Sequence, residues 1–322
     1  DIDILESRHE VRELWFKRDP QHLASSIAQS LHGARWADVV FAWFGGFHAL
    51  FPTVFAKLTK KATIVVASGY DVANKPEIAY GNMRPGIRRW MGKVIFGLTD
   101  TIMAVSKFTA GELGNVGVDS SKIIIVPHGF EANQIPIYPS QRTTAISIGT
   151  VRKDNLKLKG LETFVRAARH LAHVQFYLIG DLDNSADQLR AISPGNVEFT
   201  GHMADAGNCH LVRRAGACVQ VSYYESFGCA VAEAMLQGCI PIVTRRGALP
   251  EVVGDTGYYV PYGDPRATAS AIEEAVSAPV KQRELARQRI IDVFPLSRRH
   301  ERLLATVDAV VRGDTLDWTR AE

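Results

Sequence analysis

Short apolar runs alternate with longer amphipathic stretches along most of the chain. Residues 38–43, 62–67, 101–105 and 122–126 have the β-branched, apolar character of buried strands. Between them the pattern predicts a helix over 21–32, and a turn at Phe44-Gly45-Gly46-Phe47-His48 leading into a helix that ends near Lys60. A further helix is predicted from about Arg84 to Phe96, and Ser106 is placed to cap the next one. Residues 1–5 alternate like a short strand, and Pro127-His128-Gly129 closes this half with a turn. Such alternation of strand and helix implies a parallel sheet with right-handed crossovers.

Residues 132–143, with Pro136 and Pro139, have the composition of a linker. The pattern then restarts, with strands at 144–148, 174–179, 197–200, 217–222 and 257–260. Helices are predicted over 161–171, 205–215, 265–276, 281–293 and 296–311. The stretch around which this half is organised runs from Glu225 to Thr244 and reads as loop, helix, turn and strand. Ser226 is the expected helix cap, Gly238 the left-handed residue after the helix, and Pro241 a bar to its continuation. Glu225 then lies at the carboxyl end of a strand and Glu233 within the helix.

That placement has chemical meaning. Open α/β sheets bind ligands at the carboxyl ends of their strands, and helix N-termini attract phosphate. A carboxylate accepts hydrogen bonds from paired hydroxyls. Two glutamates flanking one helix start suit the two polyol parts of a nucleotide-sugar with its diphosphate between them; either glutamate alone reads better as a surface residue beside an ordinary capped helix.

A length of 322 residues suits two domains, and 46% hydrophobic with 22% charged residues is ordinary globular composition. A net charge of +3 gives no nucleic-acid-binding character. Cys209, Cys218, Cys229 and Cys239 form no CxxC pair and read as reduced thiols, three of them in or beside apolar stretches, which points to a cytoplasmic protein. The chain shows no run of eighteen apolar residues and no recognisable signal peptide, and a start at Asp1 rather than Met is what a trimmed chain would be expected to show. Asp181-Leu182-Asp183 reads as a Gly-Asp turn rather than a metal site, so no metal and no cofactor are expected. His48 and His128, on turns, read as structural. The segment 84–96 mixes Arg84, Arg88, Arg89 and Lys93 with Trp90 and Phe96, which fits a core helix with a solvated basic end or a peripheral contact with the cytoplasmic face of a membrane.

Glu225-Ser226-Phe227-Gly228, Glu233-Ala234-Met235, Gly238, Pro241 and Pro250-Glu251-Val252-Val253 together resemble the Glu-x7-Glu signature of retaining GT-B glycosyltransferases of the group 1 family, GT4. The resemblance implies an α/β chain of two doubly wound, Rossmann-like domains facing a cleft: residues 1–133, completed by a final helix within 296–322, on the acceptor side, and residues 134–295 for the nucleotide-sugar. It implies transfer of a sugar from a nucleotide-diphosphate donor to a hydroxyl of a saccharide or lipid-linked acceptor. Glu225 would hold the donor sugar's hydroxyls and Glu233 the ribose. Ser226, Phe227, Gly228, Gly149 and Gly180 would line the donor, and His202 with Met203 would meet the base through backbone groups. Lys159 would neutralise the leaving diphosphate, with backbone amides of Gly247 and Ala248. Arg152 reads equally as a second phosphate ligand or as a solvated loop cation, and Lys153 and Lys157 as solvated.

Three departures accompany the resemblance. Residues 1–5 look like the family's second strand, so its first strand, Gly-rich loop and first helix are missing from the pattern. Ser68-Gly69 stands where the family often has a histidine, and Gly149-Thr150 where it often has Gly-Arg. Two rival functions remain from this reading: a nucleotide-sugar-binding protein without transferase activity, and a GT-B nucleotide-sugar epimerase.

Overall fold

Four apolar runs build the first sheet: β1 (Val39–Trp43), β2 (Ala62–Ala67), β3 (Thr101–Ala104) and β4 (Ile123–Ile125). All are parallel, in the order β1-β2-β3-β4. A parallel sheet is covered on both faces, which explains why these strands are apolar without interruption. The computed structural model describes residues 1–17, 19–132, 137, 142–204 and 209–314. The chain divides into two units, Asp1–Gly129 with the chain from Leu296 onward, and Phe130–Pro295.

In the first unit, Val65, Ala67, Ile102 and Ala104 pack with Ala49, Ile95, Phe96 and Leu113 from the crossover helices Phe47–Leu58, Ile87–Leu98 and Lys107–Asn115. The Ser106 side chain accepts a hydrogen bond from the Thr109 amide and so caps the last of these helices. Two loops at the carboxyl ends of β1 and β2 are tied by one buried carboxylate. Asp71 accepts from the amides of Gly45 at 2.9 Å, Gly69 at 2.9 Å and Ser68 at 3.2 Å. Burial pushes its pKa up, and these amides oppose that shift.

The helix Leu296–Arg312 packs against the N-terminal segment, and buried Arg299 is the link. Its guanidinium donates to both Asp1 carboxylate oxygens, at 2.8 and 2.6 Å, and to the carbonyls of Val126 and Pro127 at 3.1 and 2.8 Å. His128 stacks on Trp43 with centroids 5.9 Å apart. Burial, with Arg299 nearby, lowers its pKa to about 3, so the ring is neutral near pH 7. His48 bonds its Nε2 to the Trp43 carbonyl oxygen at 2.5 Å.

Residues 1–5 are not a strand. They belong to the short helix Ile2–Glu6, in which Leu5 is buried and Ile2 is exposed. Five alternating residues are too few to separate the two periodicities, and the tertiary contact with the last helix decides. The match of this stretch to a second strand is thereby withdrawn.

The second unit holds β5 (Thr144–Ile148), β6 (Gln175–Ile179), β7 (Val197–Gly201), β8 (Ala217–Gln220), β9 (Ile240–Val243) and β10 (Tyr258–Tyr259). All are parallel, in the order β10-β9-β8-β5-β6-β7. The strand order reverses between β5 and β8, where Ala145 pairs with Ala217 and Ile146 with Cys218. Ligands of doubly wound sheets sit outside the carboxyl ends of the strands at such a point.

Two local readings change here. Residues 153–158, expected as loop, form the helix Lys153–Leu158, because Leu158 is buried and Asn155 bonds the Thr150 carbonyl at 2.8 Å. Ser226 is not the helix cap: the helix is Cys229–Leu236, and Gly228 at φ +104 occupies the capping position without a side-chain bond. The left-handed turn at Gly228 delays the helix by two residues and leaves Ser226 in the preceding loop. The helix expected over 205–215 is described as His210–Arg214; residues 205–208, most of the linker 132–143 and residues 315–322 lie outside the described residues. Cys218 and Cys239 are buried, and Cys209 and Cys229 are partly covered. Burial raises the Cys239 thiol to about 12, which makes it unreactive.

Candidate functional site

At the reversal point the loops after β5 and β8 converge. The loop after β8 starts at Val221, whose carbonyl is approached so closely by Gly160 that a Cβ there would lie 2.2 Å from it. Only glycine, at φ +65, fits this contact. The Tyr223 amide donates to the Leu158 carbonyl at 2.8 Å and closes the seam. Between Gly160 and Leu158 stands Lys159, the C-cap of helix Lys153–Leu158, and its Nζ meets Glu225 Oε2 at 2.6 Å. The side chains are 24% and 12% exposed, so the pair is largely covered yet open on one side. The two residues that the family resemblance assigned to the sugar and the diphosphate are therefore partners in the ligand-free protein.

The loop after β9 completes the arrangement. Gly247 takes φ +61, and a Cβ on it would lie 2.1 Å from the Glu225 carbonyl oxygen. The Ala248 amide donates to that same carbonyl at 2.8 Å. Of the two amides expected to face a phosphate, that of Ala248 is thus engaged with Glu225. The loop fixes the backbone of Glu225 while its carboxylate is fixed by Lys159.

Two arginines, to which the sequence reading gave no role, immediately precede Gly247 on this loop. Arg245 stacks on Tyr259 at 4.0 Å. Arg246 lies 4.3 Å from the Tyr223 ring and 5.3 Å from that of Tyr262. The only sequence signal for this bracket is a tyrosine after each of β8 and β10.

The other expected residues fall as follows. Glu233 lies in helix Cys229–Leu236, partly covered, with its charge felt by the buried Cys218 thiol. The Phe227 ring is 2% exposed and packs against Phe130 at 5.9 Å and Phe294 at 5.2 Å, so its side chain belongs to an aromatic core. Gly149 and Gly180 pack backbone to backbone, a Cβ on Gly180 lying 2.5 Å from the Gly149 carbonyl oxygen. His202 is exposed and bonds Asp181 at 2.9 Å, while Met203 packs on the core below. Asp183 accepts from the Ser185 amide at 2.7 Å, a turn contact. Among the described residues no group of three or more His, Cys, Asp or Glu converges on a metal position. Arg152 is exposed at the N-cap of helix Lys153–Leu158, the opposite end from Lys159.

The first unit has a cavity of about 800 Å³ lined by Lys57, Lys60, Lys61, Asp100, Lys122 and Arg312 among others. It opens at the amino ends of β1 to β4, the end of a doubly wound sheet that does not carry ligand sites. Its charges are partly neutralised internally, Lys57 by Asp100 and Lys61 by Asp38.

The family model described as glycosyl transferases group 1 matches residues 142–278. An MMP alpha-(1->4)-mannosyltransferase of Mycolicibacterium hassiacum is 24% identical over 230 residues, 66% of this chain and 56% of that protein. A GDP-mannose-dependent alpha-(1-6)-phosphatidylinositol dimannoside mannosyltransferase of Mycobacterium tuberculosis is 29% identical over 126 residues, 38% of this chain and 33% of that protein. The chain thus spans about half the length of the first curated relative and a third of the second. Among solved structures, Anabaena Alr3699/HepE in complex with UDP and glucose superposes with a TM-score of 0.79 at 16% identity, over 96% of this chain and 89% of that one. Sucrose-phosphate synthase from Thermosynechococcus elongatus gives 0.73 at 18% identity, over 92% and 81%. Residues 142–278 thus match the group 1 glycosyl transferase model, and the chain has the GT-B fold.

Proposed function

We propose that this protein is a retaining glycosyltransferase that moves a sugar from a nucleotide-diphosphate sugar to a hydroxyl of a saccharide or lipid-linked acceptor. The observation that carries the reading is the Lys159–Glu225 pair, held at the strand-order reversal of the domain that the family model matches. Names of relatives and neighbours, which include a GDP-mannose-dependent mannosyltransferase and a complex with UDP and glucose, agree with a nucleotide-sugar donor.

In this mechanism Glu233 takes the ribose hydroxyls and Glu225 those of the sugar, while Lys159 turns to the diphosphate. Gly149, Gly180 and the backbone at His202 and Met203 border the nucleotide, and Ser226, Phe227 and Gly228 contribute main chain beside the sugar. The bond from the anomeric carbon to the phosphate oxygen breaks, and its electron pair stays on the diphosphate. Fixed positive charge there stabilises the charge that develops as the bond opens. The acceptor hydroxyl attacks from the same face and its proton passes to the departing phosphate oxygen, so the anomeric configuration is retained.

The test is a thermal-shift panel with UDP, GDP, ADP and their sugars, on the wild type and Glu233→Ala. A ligand at a hundredfold excess over its dissociation constant adds about 2.7 kcal/mol of stability. A shift with one nucleotide, absent in Glu233→Ala, supports the donor site. Acceptor-dependent release of nucleotide then separates a transferase from a binding protein, and release without a glycosylated product would favour an epimerase. No shift with any nucleotide would refute the reading.

One further observation favours peripheral contact with an anionic membrane through residues 84–96. On helix Ile87–Leu98, Ile87 and Trp90 are 68% and 59% exposed. Exposed Arg88 and Lys93 lie on the same helix, which contains no acidic residue. Apolar side chains among basic ones suit the interface of an anionic bilayer. Sedimentation with phosphatidylglycerol vesicles tests this: Trp90→Ala and Arg88→Ala should release the protein, and equal binding to neutral vesicles would contradict it.

A further inference from the structure

A leaving diphosphate gathers negative charge, yet Lys159 is matched one to one by Glu225. Arg152 stands at the far end of helix Lys153–Leu158, six residues or about 9 Å along the axis. Arg246 is tethered to the other end of that helix. Its two aromatic neighbours are both fastened to the residues just before Lys159, the Tyr223 amide to the Leu158 carbonyl at 2.8 Å and the Tyr262 hydroxyl to the Lys157 carbonyl at 2.7 Å. The two rings meet edge to face at 5.2 Å, with Arg246 over both. The next residue, Gly247, presses against the backbone of Glu225. Arg246 is thereby held against the loops that carry Lys159 and Glu225, with the loop after β10 supplying Tyr262.

The rings cover a guanidinium face and leave its edge donors open, the geometry suited to an oxyanion. Its side chain is exposed, and among the described residues no carboxylate forms an ion pair with it. Glu162, whose charge reaches Tyr262, is bonded to Arg166 at 2.8 Å.

We infer that Arg246 is the second cation for the donor diphosphate, acting beside Lys159; the inference rests on the nucleotide-sugar reading above. When the bond from the anomeric carbon to the phosphate oxygen breaks, the electron pair remains on that oxygen and the acceptor's proton joins it. Arg246 gives up no proton; it binds the phosphate oxygens through its edge N–H groups.

The test compares wild type and Arg246→Gln by calorimetric titration with UDP against UMP, and GDP against GMP. Loss of one charge-assisted contact should weaken diphosphate binding roughly tenfold or more, with monophosphate binding and the melting temperature unchanged. An Arg246→Gln protein that keeps the full diphosphate preference overturns the role of Arg246 while leaving the donor site standing. A wild-type protein that binds none of these nucleotides overturns the donor site and this inference together.

Discussion

Lys159 and Glu225 lie 66 positions apart in the chain and meet at 2.6 Å. Each needs the other in the absence of donor, because a carboxylate only 12% exposed is costly without a partner. On the proposed function, donor binding would exchange one ion pair for two separate contacts, the lysine to phosphate and the carboxylate to hydroxyls. The pair keeps both side chains in place before the substrate arrives, which lowers the ordering cost of binding.

The two residues should act as a unit. Lys159→Ala is expected to lower turnover by roughly 10²–10³, the scale for removing one donor to developing charge. Glu225→Gln should do the same, and the double variant should be little worse than the poorer single one. Steady-state nucleotide release measures all three. Losses that multiply in the double variant would mean that the residues work independently.

Gly247→Ala should be more damaging than a glycine substitution of similar backbone conformation in open space. At Gly247 a Cβ would lie 2.1 Å from the Glu225 carbonyl oxygen, whereas Gly263, at φ +79, has nothing within 4 Å. Left-handed strain alone costs about 1–3 kcal/mol, and Gly263→Ala should show only that. Gly247→Ala should exceed it and also displace the Glu225 backbone. Urea unfolding and turnover of both variants check this, and equal effects at the two sites would contradict the close approach.

Much of this was legible before the structure. The apolar run of β2 and the capped helix after Ser106 follow from composition and turn chemistry, and the glutamates at 225 and 233 from a loop–helix–strand pattern. What the sequence hid depends on distant contacts. The short helix Ile2–Glu6 is decided by its packing on the last helix. Residues 153–158 look like a basic loop until Leu158 is seen to be buried. The Arg246 bracket joins side chains from three loops, and no local pattern announces it. Nothing local singles out Asp71, because three amide partners from two loops cannot be read from spacing.

Asp71→Asn should loosen the loops after β1 and β2. The two carboxylate oxygens accept from three amides, Oδ2 from Gly45 and Oδ1 from Ser68 and Gly69. An asparagine can satisfy only one side and turns its own NH₂ towards an amide donor on the other. Leaving a buried donor unsatisfied costs about 1–3 kcal/mol. Chemical denaturation should show that loss, and hydrogen exchange should quicken at Gly45. Unchanged exchange at Gly45 would mean that the carboxylate does not hold the loop.

His128 should make the protein acid-sensitive well above the range of its carboxylates. In the folded chain its pKa is depressed to about 3, against an ordinary value of 6.5. Between these two values the unfolded chain binds a proton that the native one refuses. Stability therefore falls as pH drops through this window, and it is unaffected by this group above pH 7. The limiting slope is about 1.4 kcal/mol per pH unit for one proton. His128→Gln cannot titrate, so its denaturation midpoint should fall less steeply between pH 6 and pH 4 than that of the wild type. Parallel pH profiles for the two proteins would show that His128 takes up its proton in the folded state, and that the Trp43 stack does not exclude the charged ring.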